Sequence, residues 1–418
     1  MTVFKNNYFK DIFNQATLVF VAQLIPVVFS PIISRIYNEE AIAEITGLIS
    51  LSSILMVFSS LKLENAIVIE KDTNKAKQII STCFLIITIY SLLVLIIIIL
   101  FNETLINVFK LDSTIYLVPI YIFIFSLLNV LNFWFVRIKK FKLKAISKII
   151  ESIIYILFSI SLFFLIGNNQ IGLALGKILG VIIALIVLYK LSSLKLGKIS
   201  AEKFKKILFK YKEFPLYNAP SNLANVIGLQ LLVVFIGIYF SKEEFGFFGL
   251  ANMIIIIPIS FISQSVASIF FQKITEHYQN NNLIELKKTF YKTFTLLLSI
   301  GVPAFIILYV GSEYIFSFIF GGQWVISGKI ARILSLVFLS QLVVSPLGVF
   351  LIAIEEIKLN SYWQYGRFIF VGIVIFISLE ILSLNFMDFI KYYSVSIFFI
   401  YSIYLIIMLV KLKKLKNK

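Results

Sequence analysis

The stretch QIISTCFLIITIYSLLVLIIIILF, residues 78–101, runs for twenty-four positions without a charge. At 1.5 Å of rise per residue, about 20 apolar residues in a helix cross a hydrocarbon core about 30 Å thick. The stretch lacks the strict apolar–polar alternation of a membrane barrel strand. It predicts a membrane-spanning helix. The surrounding chain has the same character: of 418 residues, 60% are hydrophobic and 14% charged, with a mean hydropathy of +0.98. Soluble domains carry about 25% charged residues, and a chain this apolar has too little polar surface to offer water. The composition excludes an ordinary cytoplasmic enzyme, a nucleic-acid-binding module and a disordered scaffold.

Eleven further runs of this kind make twelve, near 12–36, 43–69, 78–101, 115–136, 146–166, 171–190, 215–240, 246–271, 290–310, 326–352, 361–383 and 389–410. The first run follows Lys5 and Lys10, exceeds a signal-peptide core and lacks a small-residue cleavage site, so it is expected to remain as the first span. The loops on one side of the membrane hold 29 Lys and Arg residues; the opposite loops hold Arg35, Lys110, Lys242 and Lys391. Positive charge marks the cytoplasmic face, so both termini are expected there, in a multi-pass protein of the plasma membrane. That asymmetry accounts for most of the net charge of +17 without a nucleic-acid partner. Residues 202–210, rich in Lys between apolar positions, predict a basic amphipathic helix lying along the cytoplasmic leaflet.

A shift of 204 residues lays Phe13-Asn14-Gln15-Ala16 on Tyr217-Asn218-Ala219-Pro220 and Glu39-Glu40 on Glu243-Glu244. The chain therefore reads as two halves, residues 1–200 and 201–418, each an all-α bundle of six spans. With six spans each, both halves enter the membrane from the same side, so a pseudo-two-fold along the membrane normal relates them. Such parallel repeats are common in transporters that work by alternating access. Pro26 and Pro31 in the first span, and Pro215 and Pro220 in its repeat mate, are candidate kinks for gating. They lie beside Asn14, Gln15, Gln23, Asn218, Asn222 and Asn225, polar side chains that are costly against lipid. Pro258, Pro303 and Pro346 punctuate later spans.

Charges inside the spans mark candidate sites, because each costs a few kcal/mol unless it faces a cavity or a partner. The cations are Lys62, Lys177, Lys329, Arg332 and Arg367, with Arg35 at the end of the first span. The acids are Glu44, Glu64 and Glu151, candidates for coupling to a proton or sodium gradient. The cationic excess points to an anionic cargo, which Arg would hold by charge-assisted, bidentate bonds. Lys329 and Arg332, three apart, share a helix face; Trp324 above them is read as an interface marker. Lys62 and Glu64, two apart, are expected on different faces of one helix. Gly172, Gly176 and Gly180 form a small-residue stripe beside Lys177. One Cys (Cys83, read as a core residue) and one His (His277, read as a loop residue) leave no disulfide and no Cys or His metal set. There is no phosphate-cradling Gly loop. Neither a metal, a cofactor nor enzymatic activity is expected.

Ser30-Pro31-Ile32-Ile33-Ser34-Arg35-Ile36-Tyr37 with Glu39-Glu40, Lys62-Leu63-Glu64-Asn65-Ala66-Ile67-Val68, Phe214-Pro215-Leu216-Tyr217-Asn218-Ala219-Pro220-Ser221, Glu243-Glu244-Phe245-Gly246 and Phe320-Gly321-Gly322-Gln323-Trp324 together resemble bacterial polysaccharide-export flippases. These belong to the multidrug/oligosaccharidyl-lipid/polysaccharide exporter superfamily. The resemblance implies two six-helix bundles around a central cavity. It also implies translocation of a polyprenyl-diphosphate-linked oligosaccharide across the inner membrane, for surface polysaccharide of the O-antigen, lipopolysaccharide or capsule type. Implied partners are membrane lipid and a polysaccharide polymerase with its chain-length regulator. A cation-coupled multidrug or small-molecule antiporter of the same fold is the competing expectation, and it would want an acidic cavity.

Overall fold

The computed structural model describes residues 24–112, 114–167, 170–194 and 200–415. Lys5, Lys10, Asn14, Gln15 and Gln23 lie outside the described residues, as does the side chain of Asn225. Every regular element among the described residues is helical. In chain order these are α1 (Leu24–Ile36), α2 (Glu39–Leu55), α3 (Glu64–Ile69), α4 (Thr73–Leu100), α5 (Asn102–Phe109), α6 (Leu117–Arg137), α7 (Phe141–Ile166) and α8 (Ile171–Ser192). There follow α9 (Ala201–Lys210), α10 (Ala219–Tyr239), α11 (Lys242–Gln279), α12 (Leu283–Phe320), α13 (Val325–Val344), α14 (Val349–Ala353), α15 (Ile357–Phe376) and α16 (Phe386–Lys414).

Among the described residues, ten helical stretches are long and apolar enough to cross a membrane, and two shorter apolar helices, Leu24–Ile36 and Val226–Tyr239, fall in the first and seventh expected runs. The protein is an all-α, multi-pass membrane protein. In α4, Ile80, Cys83, Ile87, Val94 and Ile98 are fully buried, while Ile89, Leu92, Leu93, Ile96, Ile99 and Leu100 are exposed. Both faces are apolar because lipid, not water, covers the outer one. Helix starts follow local chemistry: Asn38, Asp72, Ser200, Asn282 and Asn385 each cap a helix by accepting from a backbone N–H of its first turn, worth about 1 kcal/mol apiece. Helices α2 and α11 begin at Glu39 and Lys242, within one residue of the 204-residue register read from the repeat.

The prolines take three kinds of place. Pro26 and Pro31 lie within α1. Pro215 sits in a π-type turn, Phe214–Asn218, and Pro220 in the first turn of α10, where a missing N–H costs least. Pro258 and Pro303 lie inside α11 and α12, and Pro346 shapes a 3-10 turn, Ser345–Gly348. His277 belongs to the last turn of α11 rather than to a loop, because that helix runs on beyond its apolar segment.

The chain forms two compact units, Met1–Gly246 and Phe247–Lys418. In the first, α6 is central, with Val118, Ile122, Val130 and Leu131 fully buried, and it packs on α3, α4 and α8. α8 lies along α7 through its glycine stripe: a Cβ at Gly180 would sit 2.6 Å from the Glu151 carbonyl oxygen. α10 joins the same unit against α2 and α5, so close that a Cβ at Gly237 would clash with the Val108 carbonyl. In the second unit α13 lies between α12 and α16.

The expected amphipathic helix is α9. Its Lys203, Lys205 and Lys206 are exposed while Ile207 is buried. It is tethered by the Glu70 carboxylate, which accepts from Lys210 Nζ, from the Tyr211 hydroxyl and from the Asp72 backbone N–H. Arg137 braces the same turn by donating to the carbonyls of Ile67, Glu70 and Lys71. The bonds from Lys210 and then Tyr211 pull the Glu70 carboxyl from its ordinary range down to about 2. A depressed carboxyl stabilises above its ordinary pKa and loses that contribution as pH falls toward the depressed value. The tether is therefore expected to be complete at pH 7, still substantial at pH 4, and lost near pH 2. Hydrogen exchange over residues 201–211 checks this: Glu70→Gln should speed exchange several-fold at pH 7, and equal protection in variant and wild type would refute the tether.

Candidate functional site: polar cavities in each unit

The second membrane run, expected as one helix over 43–69, is broken. Helix α2 ends in a 3-10 turn, Met56–Phe58, and Leu61 and Lys62 adopt left-handed backbone at φ 53° and 58°. Each such residue with a Cβ costs about 1–2 kcal/mol. No Gly or Pro between 59 and 63 announces the break. Irregular backbone at membrane depth persists only where it is buried in protein or lines a cavity, and here it lines one. A cavity of about 300 Å³ opens beside it, bounded by α2, the broken segment, α6 and α10. Because of the turn, Lys62 and Glu64 do meet, contrary to the helical expectation, with Lys62 Nζ 4.0 Å from Glu64 Oε1. Glu64 is 3% exposed and accepts from the Ser60 hydroxyl. Ser53, Ser59, Ser126, Asn129, Asn222, Tyr121 and Phe125 complete the polar and aromatic lining.

The other in-span charges of this unit have partners within it. Lys177 Nζ donates to Glu151 Oε1 at 2.6 Å, and its ammonium stands 5.5 Å from the Tyr155 ring centre. Glu151 is buried: the glycine stripe draws α7 and α8 so close that its side chain is covered. Glu44, wholly buried, accepts from Lys242 Nζ at 2.7 Å, from the Asp112 backbone N–H at 2.9 Å and from the Thr114 hydroxyl. Lys242 also donates to Asp112 Oδ2 at 2.6 Å and to Gln170 Oε1 at 3.0 Å. That hub ties the start of α11 to α2, to Asp112 and Thr114, and to Gln170 just before α8. Arg35 lies exposed at the end of α1.

In the second unit, α12, α13 and α16 enclose an open groove of about 540 Å³. Its lining includes Lys329 and Arg332 on one face of α13, Tyr309 and Glu313 of α12, and Lys391 and Ser394 of α16. Arg332 Nη1 lies 3.2 Å from Glu313 Oε1, and the guanidinium lies over the Tyr309 ring at 5.0 Å. Lys329 has no hydrogen-bond or ion-pair partner among the described residues. Lys391 pairs with Asp388 at 2.8 Å on the exposed helix surface. The groove holds three cations against one acid. Arg367 stands elsewhere, donating to the Tyr401 hydroxyl at 2.9 Å and lying 5.2 Å from the Trp363 ring centre. Trp324 is fully buried, edge-on to Phe247 at 5.8 Å, and so is a packing residue rather than an interface marker.

Reasoning from sequence brought Lys329 and Arg332 together correctly and missed Glu313, Tyr309, Lys391, Asn129 and Ser60. Only Glu313 had a visible signal, an acid at the end of a long apolar run. No group of three or more His, Cys, Asp or Glu able to hold a metal occurs among the described residues.

The described chain is thus a set of membrane helices with polar cavities at a broken span and between packed helices. The solved structures agree on the fold. An inward-facing multidrug resistance MATE family transporter of the MOP superfamily is 14% identical with a TM-score of 0.69, covering 96% of this chain and 94% of that one. The lipid II flippase MurJ, in an inward closed conformation, is 16% identical with a TM-score of 0.67, covering 97% and 87%. The polysaccharide biosynthesis protein family matches residues 51–328, and the chain belongs to that family. A curated relative, teichuronic acid biosynthesis protein TuaB of Bacillus subtilis (strain 168), is 25% identical over 171 residues, 41% of this chain. The match spans 35% of that relative's length.

Proposed function

We propose that this protein translocates a polyprenyl-diphosphate-linked oligosaccharide across the bacterial inner membrane, by alternating access, for assembly of a surface polysaccharide. Both termini are placed in the cytoplasm, and residues 1–200 and 201–418 act as the two moving halves. The observation that carries the reading is the groove of α12, α13 and α16, with Lys329, Arg332 and Lys391 against Glu313, in a member of a polysaccharide biosynthesis family. A diphosphate is a compact anion that such a groove attracts, and Arg332 supplies a forked donor for it. Arg35, Lys62, Lys177 and Arg367 are further cationic candidates along the path. Of these, Lys177 is held by the buried Glu151 and Arg367 by Tyr401, away from the groove, whereas Lys329 and the half-exposed Arg332 line it, so Lys329 and Arg332 rank first.

Coupling to an ion gradient falls to Glu44, Glu64 or Glu151. Glu64 is favoured, since its ammonium partner stands at 4.0 Å whereas those of Glu44 and Glu151 are within 2.7 Å. Proteins that polymerise the exported units and set their length are the partners this activity requires. The multidrug-antiporter reading draws support from the MATE-like fold, but a basic groove disfavours cationic drugs.

The test is a depletion experiment in the native bacterium. Removing the protein should trap radiolabelled, diphosphate-linked saccharide in the membrane and halt surface polysaccharide, with both restored by the wild-type gene. Unchanged surface polysaccharide with no trapped lipid would refute the reading.

A further inference from the structure

The two cavities differ in chemistry. The groove of the second unit has excess positive charge, whereas the cavity at the broken span has one cation, Lys62, matched by one acid, Glu64. We infer that the cavity at the broken span is a recognition subsite for an uncharged sugar ring, and so a determinant of which glycan the protein accepts. This rests on the translocation reading above and adds to it the class of group held at this second site.

The hydrogen-bond inventory carries the inference. The serines lining the cavity spend their hydrogens on protein acceptors: Ser53 on the Ser50 carbonyl at 2.8 Å, Ser59 on the Met56 carbonyl at 2.8 Å, Ser126 on Ser59 Oγ at 2.8 Å and Ser60 on Glu64. Ser53 also accepts from Gln230 Nε2 at 3.0 Å and Ser59 from Ser126, so what the serines offer a guest is their remaining lone pairs, which suit the O–H donors of a sugar. Asn129 and Asn222, in contrast, make no hydrogen bond among the described residues although both line the cavity. A free amide has donors and an acceptor side by side, the match for two adjacent ring hydroxyls, each of which gives one bond and takes one. Unpaired amides held at a cavity are costly unless water or a ligand satisfies them.

The aromatic lining supplies the remaining element. Phe125 lies half-buried at the cavity wall, with Tyr121 behind it at 5.6 Å and an interplanar angle of 36°. Its face suits the C–H face of a pyranose. A cavity of about 300 Å³ has room for about ten waters at about 30 Å³ each, the scale of one or two sugar rings. The left-handed backbone at Leu61 and Lys62 explains how a span opens such a space: it removes a turn of helix that would otherwise fill it.

The experiment uses the purified full-length protein in nanodiscs and saturation-transfer NMR. The probes are glucose, galactose, mannose and N-acetylglucosamine as uncharged sugars, with glucuronate and inorganic pyrophosphate as anions. At least one uncharged sugar should give transfer from wild type, falling five-fold or more in the Asn129→Ala/Asn222→Ala variant and in Phe125→Leu, which keeps the apolar volume without the ring face. The same signal should survive in Arg332→Glu. Pyrophosphate should not compete with it. The inference is overturned if no uncharged sugar of the set binds, if glucuronate binds more strongly through Lys62, or if both cavity variants retain full signal. Surface polysaccharide in cells separates the two readings. If Arg332→Glu and the depleted strain both export normally, the translocation reading fails. If Arg332→Glu stops export while the Asn129/Asn222 variant exports normally with unchanged cargo, only the sugar subsite fails.

Discussion

Arg332→Glu is expected to abolish surface polysaccharide, more than ten-fold below wild type, while the protein accumulates in the membrane at its normal level. The argument turns on which of two effects dominates. The Arg332–Glu313 pair is half exposed, with side chains 49% and 38% accessible, and open pairs of this kind contribute little to stability. Losing the pair therefore does little to folding. Reversing the charge instead sets two carboxylates side by side in the groove, at the place where a diphosphate is expected, so that attraction for the anion becomes repulsion. Each loss of about 1.4 kcal/mol in binding is ten-fold in occupancy. Arg332→Lys keeps the charge without the forked geometry and should reduce export only in part. Lys329→Ala should fall between wild type and Arg332→Glu. Quantified surface polysaccharide and immunoblots of membrane fractions read all three. Normal export from a fully inserted Arg332→Glu protein would exclude this groove as the anion site.

Lys177→Met should destabilise the protein by about 3–5 kcal/mol, the usual cost of leaving one member of a buried ion pair alone. Glu151 is 7% exposed, between α7 and α8, with Lys177 Nζ at 2.6 Å. Glycines at 176 and 180 hold the helices too close for a compensating shift: a Cβ at Gly176 would clash with Ser159 Oγ. The double variant Glu151→Leu/Lys177→Met removes both charges and should recover most of the loss, because a buried pair is often no better than the apolar groups that replace it. Thermal unfolding of the detergent-solubilised protein measures both. Wild-type stability in Lys177→Met would show that Glu151 has another partner or is protonated. A double variant as weak as the single would show that packing, not charge, is decisive.

The helical, membrane-spanning character of the long apolar runs, the basic bias of one set of loops and the amphipathic α9 were legible in the linear chain. Each rests on a property of a contiguous segment: run length against membrane thickness, charge per loop, or alternation within ten residues. The close seam of α7 and α8 was legible for the same reason, since Gly172, Gly176 and Gly180 recur at four-residue spacing on one helix face. The Lys329–Arg332 neighbourhood was also a local matter of three residues. The other parts of the site lay beyond that range.

Nothing in the composition of residues 59–63 announces a break, because the left-handed turn at Leu61 and Lys62 is imposed by packing around them rather than by Gly or Pro. The partners of Glu44, Glu151 and Arg332 are Lys242, Lys177 and Glu313, on other helices and as far as 198 positions away in sequence. In a soluble protein, amphipathic periodicity would show which face of each helix turns inward. Here lipid-facing and core-facing positions are both apolar, as in α4, so periodicity carries almost no information about rotation. The sequence by itself determined that this chain crosses the membrane many times as helices, and roughly which segments do so. Only tertiary structure decided how each helix is rotated about its axis, and therefore which buried charges meet and which line a cavity.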